Sequence, residues 1–448
     1  MPNLNRRNFL SAALAGTGAV FCFQGLLERT ELFNSQKTFA LENDDSIYGA
    51  LVPTASANTG EIFLALPKGF QYNVFGKANS PMTNGQPTPV LPDGMTVFDL
   101  GNSWALIRNH EISAFAGTSG TVSGTIPYDS LAGGGTSTLI INKTSRLPTA
   151  EFISLSGTVR NCAGGQTPWR TWITCEETIA GTSSGYARPH GYCFEVSPAT
   201  QSPSTAPVAL TQMGRFVHEA VAVDRRGGIV YLTEDNTPAG FYRFLPNNYG
   251  QLAAGGRLQM LAVRNQPNYN TRVGQTVGAV LLVDWVDIPE PNPPGASTNS
   301  LAVFNQGFER GGASFARLEG CFAQNGRIYF TSTSGGNQSL GQIWEYRHRK
   351  HNTGYLKLIF ESPNASVLNM PDNICFGRSG NLFICEDNPV ENFIRVLRPN
   401  GSMSNFAKNI VPNFQATEFA GSVFSSDLQT LFVNLQAPGF TFAIWGNW

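Results

Sequence analysis

Apolar and polar positions alternate in short runs along most of the chain, and the runs recur in a fixed order. One set starts apolar and ends polar or acidic: Trp104–Glu111, Thr171–Glu177, Ile229–Asp235, Arg327–Thr333, Asn381–Asp387 and Thr430–Gln436. Each is followed by an alternating strand beginning near Thr138, Tyr192, Phe241, Ile343, Phe393 or Phe442. Most are preceded by another strand and a Gly- or Asp-containing turn. The clear cases are His218–Asp224, Leu318–Ala323, Asp372–Phe376 and Glu418–Phe424, while the copies around Asp93 and Asn161 are less regular. A period of two over short runs is the mark of strands, and repetition of one unit marks a repeat architecture.

Six antiparallel meanders predict an all-β fold, a six-bladed β-propeller with loop insertions. The last unit stops at Trp448 after its third strand, so an early strand, Glu61–Leu66 or Tyr72–Phe75, is expected to complete it. The longest insertion, between Leu245 and Leu318, reads as a surface excursion that could roof a site, with a helical stretch over Asn299–Glu309.

Composition narrows the function classes. Charged residues make up only 14% of 448, and Lys+Arg 30 against Asp+Glu 31 leaves a net charge of -1. A specific nucleic-acid binder would carry a basic surplus. The 47 Gly and 27 Pro favour turns over helical bundles. The amino terminus reads Asn5-Arg6-Arg7-Asn8-Phe9-Leu10, then an uncharged run to about Leu27. That pattern predicts a twin-arginine signal peptide over residues 1–40 and one catalytic propeller domain over 41–448. The run is too polar for a good membrane anchor. Twin-arginine export carries folded proteins, commonly because a cofactor is inserted first, so a metal or prosthetic group is expected.

Candidate chemistry sits at equivalent strand ends. Starts of first strands carry Glu219, Glu319, Asp372 and Glu418. Ends of second strands carry Glu111, Glu176, Glu177, Glu234, Asp235, Glu386 and Asp387. In an antiparallel meander these ends share one edge, which places the acids around one channel mouth. Crowded carboxylates repel unless cations or protons relieve them, and hard oxygen donors suit calcium. Cys175 adjoins Glu176 and Glu177 and adds a soft thiolate, which points to iron; an inert buried thiol is the alternative. Cys321, Cys375 and Cys385 lie in apolar runs as small core residues, with a cross-strand Cys375–Cys385 pair as an option. His110 and His218 each precede a Glu and read as hydrogen-bonding supports under the site. Arg317 shares a strand face with Glu319 and is a candidate catalytic clamp for an anionic substrate, or an ordinary salt bridge. Gly181-Thr-Ser-Ser-Gly185 matches a hydrolase elbow string without its strand-to-helix context.

Several stretches together resemble the PhoX-type alkaline phosphatases. They are Arg108–Glu111, Thr167–Glu177, Gly214–Asp224, Tyr231–Asp235, Arg317–Gly320, Pro371–Asn373 and Leu431–Gly439, in order over nearly the whole mature chain. The resemblance implies a six-bladed propeller, two oxo-bridged ferric ions with calcium ions, and hydrolysis of phosphate monoesters outside the cytoplasm. It implies Cys175 as an iron ligand and Glu219 as an iron or calcium ligand. Glu111, Glu176, Glu319, Asp372 and Glu386 would share the remaining positions, and Arg317 would hold the phosphoryl group. Glu234 joins the metal set through its strand-end position. The chain is shorter than the longer members of that family, and Ser425-Ser-Asp-Leu replaces an expected Ser-Pro-Asp-Gly turn.

The expected cofactors are therefore Fe(3+) and Ca(2+), and the expected partners are small phosphate-ester substrates and the twin-arginine export machinery. No nucleic acid and no membrane anchor after cleavage are expected, and the exported protein should be a periplasmic or extracellular monomer. A non-catalytic calcium-binding propeller and a calcium-dependent lactonase are the alternatives; neither needs a thiolate.

Overall fold

Runs of Val, Ile, Phe and Tyr broken by Gly, Asn and Asp turns build nearly all of the structure from sheets. The computed structural model describes residues 47–199, 201–350 and 352–448. The expected leader lies outside them. Asp45–Trp448 forms one unit. Among the described residues there is one α-helix, α1 (Ala302–Phe308), and none long and apolar enough to cross a membrane.

Strands β1 (Leu51–Ala55), β2 (Ile62–Pro67) and β3 (Gln71–Phe75) lead in. A four-stranded meander follows, β4 (Pro92–Asp99), β5 (Ser103–His110), β6 (Gly134–Asn142) and β7 (Pro148–Thr158), then a three-stranded one, β8 (Asn161–Gln166), β9 (Trp172–Glu176) and β10 (Cys193–Val196). The largest sheet has nine strands. It holds β11 (His218–Val223), β12 (Val230–Glu234), β13 (Tyr242–Pro246), β14 (Gly256–Val263) and β15 (Val280–Asp287). It continues through β16 (Leu318–Gln324), β17 (Arg327–Ser332), β18 (Gln342–Arg349) and β19 (Thr353–Glu361). Next come β20 (Pro371–Phe376), β21 (Leu382–Glu386), β22 (Phe393–Leu397) and β23 (Met403–Asn409), whose sheet is extended by β2 and β1. The chain ends with β24 (Phe419–Phe424), β25 (Thr430–Leu435) and β26 (Phe440–Trp445).

The sheets stand in a propeller-like arrangement. The first strands form a closed circuit: β4 packs on β8, β8 on β11, β11 on β16, β16 on β20, β20 on β24, and β24 on β4. Closure uses β3, which pairs with β26 through Tyr72↔Ile444 and Val74↔Phe442. Of the two early strands considered from the sequence, Tyr72–Phe75 is the one that completes the last sheet. The Leu245–Leu318 excursion is only partly a surface loop. It contains β14 and β15, and β15 pairs with both β14 and β19 to fuse two meanders into nine strands. The helix falls inside the expected Asn299–Glu309 stretch.

Turn chemistry sets local register. Gln324 pairs with Arg327 across Asn325-Gly326, with φ of 52° and 74°. Two left-handed residues make the two-residue hairpin that matches strand twist. Aromatic side chains fill the space between sheets. Phe70, Phe383, Phe406, Phe424 and Trp448 interlock near the carboxyl terminus, and Tyr231, Phe241, Trp285, Phe330 and Tyr346 do so in the nine-stranded sheet. Full burial of such a side chain contributes roughly 1.5–3 kcal/mol.

Candidate functional site

One backbone hydrogen bond recurs at the mouth of the circuit. The N–H just after each second strand donates to the carbonyl just before the first strand. The pairs are Glu111–Leu91 (2.9 Å), Glu177–Arg160 (2.9 Å), Asp235–Val217 (3.1 Å), Thr333–Arg317 (2.7 Å), Asp387–Met370 (2.9 Å) and Gln436–Glu418 (3.3 Å). Four acceptor residues adopt left-handed backbone, Leu91 (φ 50°), Arg160 (52°), Arg317 (45°) and Met370 (55°). Such a conformation costs about 1–2 kcal/mol per non-glycine residue, and strain of this kind concentrates at functional positions.

A second recurring feature turns side chains into the mouth. The pairing register shifts at the start of every first strand: Pro92/Met95, Asn161/Gly164, His218/Val221, Leu318/Cys321, Pro371/Ile374 and Ala420/Val423. A bulge frees a residue from the ladder and re-aims it. The residues freed directly after the first pair include Asp93, Cys162, Glu219, Glu319 and Asp372.

Two groups of side chains converge there. Ligand atoms of Cys162, Glu177 and Glu219 lie within 4.8 Å of one another, as do those of Asp93, Glu111 and Glu418; all six residues are buried. The groups adjoin. Burial, then the carboxylates of Glu219, Glu177, Asp93 and Glu111, push the Cys162 thiol well above its ordinary pKa. Arg160 Nη2 lies 2.6 Å from Glu111 Oε1 and pairs also with Glu177. Gln436 Nε2 donates to Glu111 Oε2 at 2.6 Å and to Asp93 Oδ2 at 3.1 Å. Three buried acids held this closely call for cations or protons. The all-carboxylate group suits a hard cation, and the thiol-containing group suits a transition metal. The donor sets therefore fit multivalent ions.

Arg317 stands at the same mouth. It forks onto Asp235, with Nε to Oδ1 at 2.9 Å and Nη2 to Oδ2 at 3.2 Å, and pairs with Glu319. Its side chain keeps 22% of its surface exposed while Glu319 is fully buried, so part of the arginine side chain faces solvent. The excursion lies beside it, where Asn236 Nδ2 donates to Ser300 Oγ at 3.1 Å.

The other expected residues divide by strand face. Glu111 and Glu219 fall in the two groups, and Glu319 pairs with Arg317. Asp372 takes the equivalent bulge position but joins neither group. Glu176, Glu234 and Glu386 are the last residues of their second strands and serve the adjoining loops. Glu176 accepts from His190 Nδ1 (2.6 Å) and from the N–H groups of Val159, Gly191 and Tyr192. Glu234 accepts from Gly240 N–H and the Tyr242 hydroxyl, both at 2.8 Å, and Glu386 accepts from Asn369 N–H at 2.8 Å and pairs with Arg395. Burial pushes the Glu234 and Glu386 carboxyls up to about 7.

Cys162 and Cys175 stand in different surroundings. Cys175 points into an apolar cluster with Ile173 and Cys193, its sulfur 3.7 Å from that of Cys193. Strand alternation turns it away from Glu176, Glu177 lies beyond the strand end, and the thiol among the carboxylates is Cys162. Among the described residues all six cysteines are free and buried, and Cys375 faces Phe383, not Cys385. His110 and His218 act as supports: His110 Nδ1 donates to Val90 O and His218 Nε2 to Gly214 O. Sequence reasoning did not single out Asp93, Arg160, Cys162 or Gln436 for chemistry, and left Glu177 and Glu418 out of its metal set. The signal was repeat alignment, since Asp93 and Cys162 occupy the position of Glu219 in the two less regular copies.

A family-wide sequence pattern described as alkaline phosphatase PhoX matches residues 48–151 and 143–439. The chain belongs to the PhoX family of alkaline phosphatases. PhoX of Pseudomonas fluorescens, solved in complex with vanadate, a transition-state analogue, is similar in fold. Its TM-score is 0.66 at 18% identity, over 88% of this chain and 97% of that one. A putative gluconolactonase (TM-score 0.45, 9% identity, 89% and 98% covered) and virginiamycin B lyase from Staphylococcus aureus (0.42, 12%, 84% and 99%) are slighter likenesses. No curated protein matches. The Gly181–Gly185 string forms only a short 3-10 turn at Thr182–Ser184.

Proposed function

We propose that this PhoX-family protein is an exported, metal-dependent phosphatase that hydrolyses small phosphate monoesters at the channel mouth. We count its meanders as six blades, taking the nine-stranded sheet as two. The observation that carries the reading is the pairing of two buried ligand groups, Cys162/Glu177/Glu219 and Asp93/Glu111/Glu418, with a part-exposed arginine at the same mouth. The first group would hold iron and the second calcium. When bound, such ions supply Lewis-acid stabilisation of charge building on the phosphoryl oxygens.

The protein's own residues supply the rest. Arg317 binds phosphoryl oxygens through its guanidinium fork, and Asp235 and Glu319 hold that fork in place. The Leu245–Leu318 excursion packs beside the arginine and limits access of bulk water. The Arg6-Arg7 leader supports twin-arginine export to the periplasm or beyond, with the mature protein acting as a monomer.

The test joins elemental analysis of the exported protein to hydrolysis of p-nitrophenyl phosphate with and without chelator. Iron and calcium in the protein, with turnover lost on chelation, support the reading. Calcium without iron, or turnover indifferent to chelation, sinks it.

A further inference from the structure

Arg160 does something that neither ligand group does alone. Its backbone is pinned on both sides: its N–H donates to Ile112 O at 3.0 Å, beside Glu111, and its carbonyl accepts from Glu177 N–H at 2.9 Å. Its Nε donates to Glu177 O at 3.0 Å. Its Nη2 then reaches Glu111 of one group and Glu177 of the other. The left-handed φ of 52° is maintained by these bonds. Only 16% of the side chain is exposed, against 4% for each carboxylate.

We infer that Arg160 is a built-in cation that links the two ligand groups and competes with added ions for Glu111 and Glu177. The inference rests on the metal reading above. A guanidinium is always charged, and its Nη2 sits between Glu111 and Glu177 while Nε anchors it to Glu177 O, so one side chain relieves repulsion in both groups at once. An ion entering either group must draw a carboxylate away from Nη2. Ion affinity at the two groups is thereby lowered and coupled through one residue. Arg317 occupies the equivalent position but bridges Asp235 and Glu319, which belong to neither group.

The experiment is calcium titration calorimetry on the chelator-stripped full exported chain, wild type against Arg160→Gln and Arg160→Lys. Losing the competing positive charge should tighten calcium binding by about tenfold or more in Arg160→Gln. Arg160→Lys keeps the charge but loses the Nε bond to Glu177 O that holds the side chain between the two carboxylates, so its binding should tighten by a smaller factor. Unchanged or weaker calcium binding in a folded Arg160→Gln protein overturns the inference while leaving the metal reading intact. Should the Gln variant fail to fold, the Lys variant decides by the same sign. Absence of calcium binding by the wild type overturns both.

Discussion

Glu176 and Glu177 are adjacent in sequence and serve opposite faces of one strand end. Glu176 binds His190 and three backbone N–H groups under the site, while Glu177 pairs with Arg160 at the mouth. Their substitutions should separate stability from ligand binding. Glu176→Ala strips a fully buried carboxylate from its partners and should cost about 3–5 kcal/mol. Glu177→Gln removes one charge from a crowded acidic group and leaves Arg160 its pairing with Glu111, so the metal-free protein should lose less than about 1 kcal/mol. The same variant should retain less metal. Urea melts and elemental analysis of both variants check this, and equal stability losses would refute the division.

The thiols offer a second separation. Cys162→Ala should lose the metal bound at the thiol-containing group and the absorption that goes with it. Cys175 is packed among Ile173, Cys193 and other apolar side chains. Cys175→Ala should therefore keep its metal and lose about 1 kcal/mol from the vacated space. Metal content and visible spectra of the two proteins decide; a colourless, metal-poor Cys175→Ala protein would restore that residue as a ligand.

Arg317 is the side chain expected to contact substrate. Arg317→Ala should lower turnover by roughly 10²–10³, the loss of about 2.7–4 kcal/mol of charge stabilisation. Asp235→Asn keeps the guanidinium but weakens the fork that orients it, so its loss should be smaller. Its rate should also depend on salt more steeply, because a less fixed arginine is more readily screened. Steady-state rates for the folded variants test this. Wild-type turnover in Arg317→Ala would remove the residue from the reaction.

Much of this layout was legible before any coordinates. Alternation located the second strands down to their polar or acidic ends, because each pairs on both sides and repeats with little variation. Closure of the last unit by an early strand was readable, but the choice of Tyr72–Phe75 over Glu61–Leu66 came only from its pairing with the final strand. What stayed hidden was side-chain direction at a bulge. Period-two reasoning assumes an unbroken ladder, and the register shift after Asn161 or His218 breaks it where the ligand residues stand. Cys175 attracted notice through its acidic neighbours in sequence, whereas Cys162 meets Glu177 and Glu219 only through pairing between strands. Arg160 was not singled out, since it meets Glu111 and Glu177 only through the folded arrangement of strands.

The last prediction concerns pH. His190 is fully buried between Glu176 and Asp129, with Nδ1 2.6 Å from one carboxylate and Nε2 3.3 Å from the other. Burial disfavours its charged form, but the two acids outweigh burial and raise its pKa above the ordinary value. A folded-state pKa above the unfolded one means the protonated imidazole stabilises the fold. That contribution is complete below about pH 6.5 and disappears as pH climbs through the raised value. Stability should therefore fall between neutral and mildly alkaline pH, by at most about 1.4 kcal/mol per pH unit from this residue. His190→Gln should be less stable at neutral pH and show a flatter decline. Thermal melts across that range, on wild type and variant at matched metal content, measure the difference in slope. Parallel curves would mean that His190 is neutral in the folded protein and that another group sets the alkaline limit.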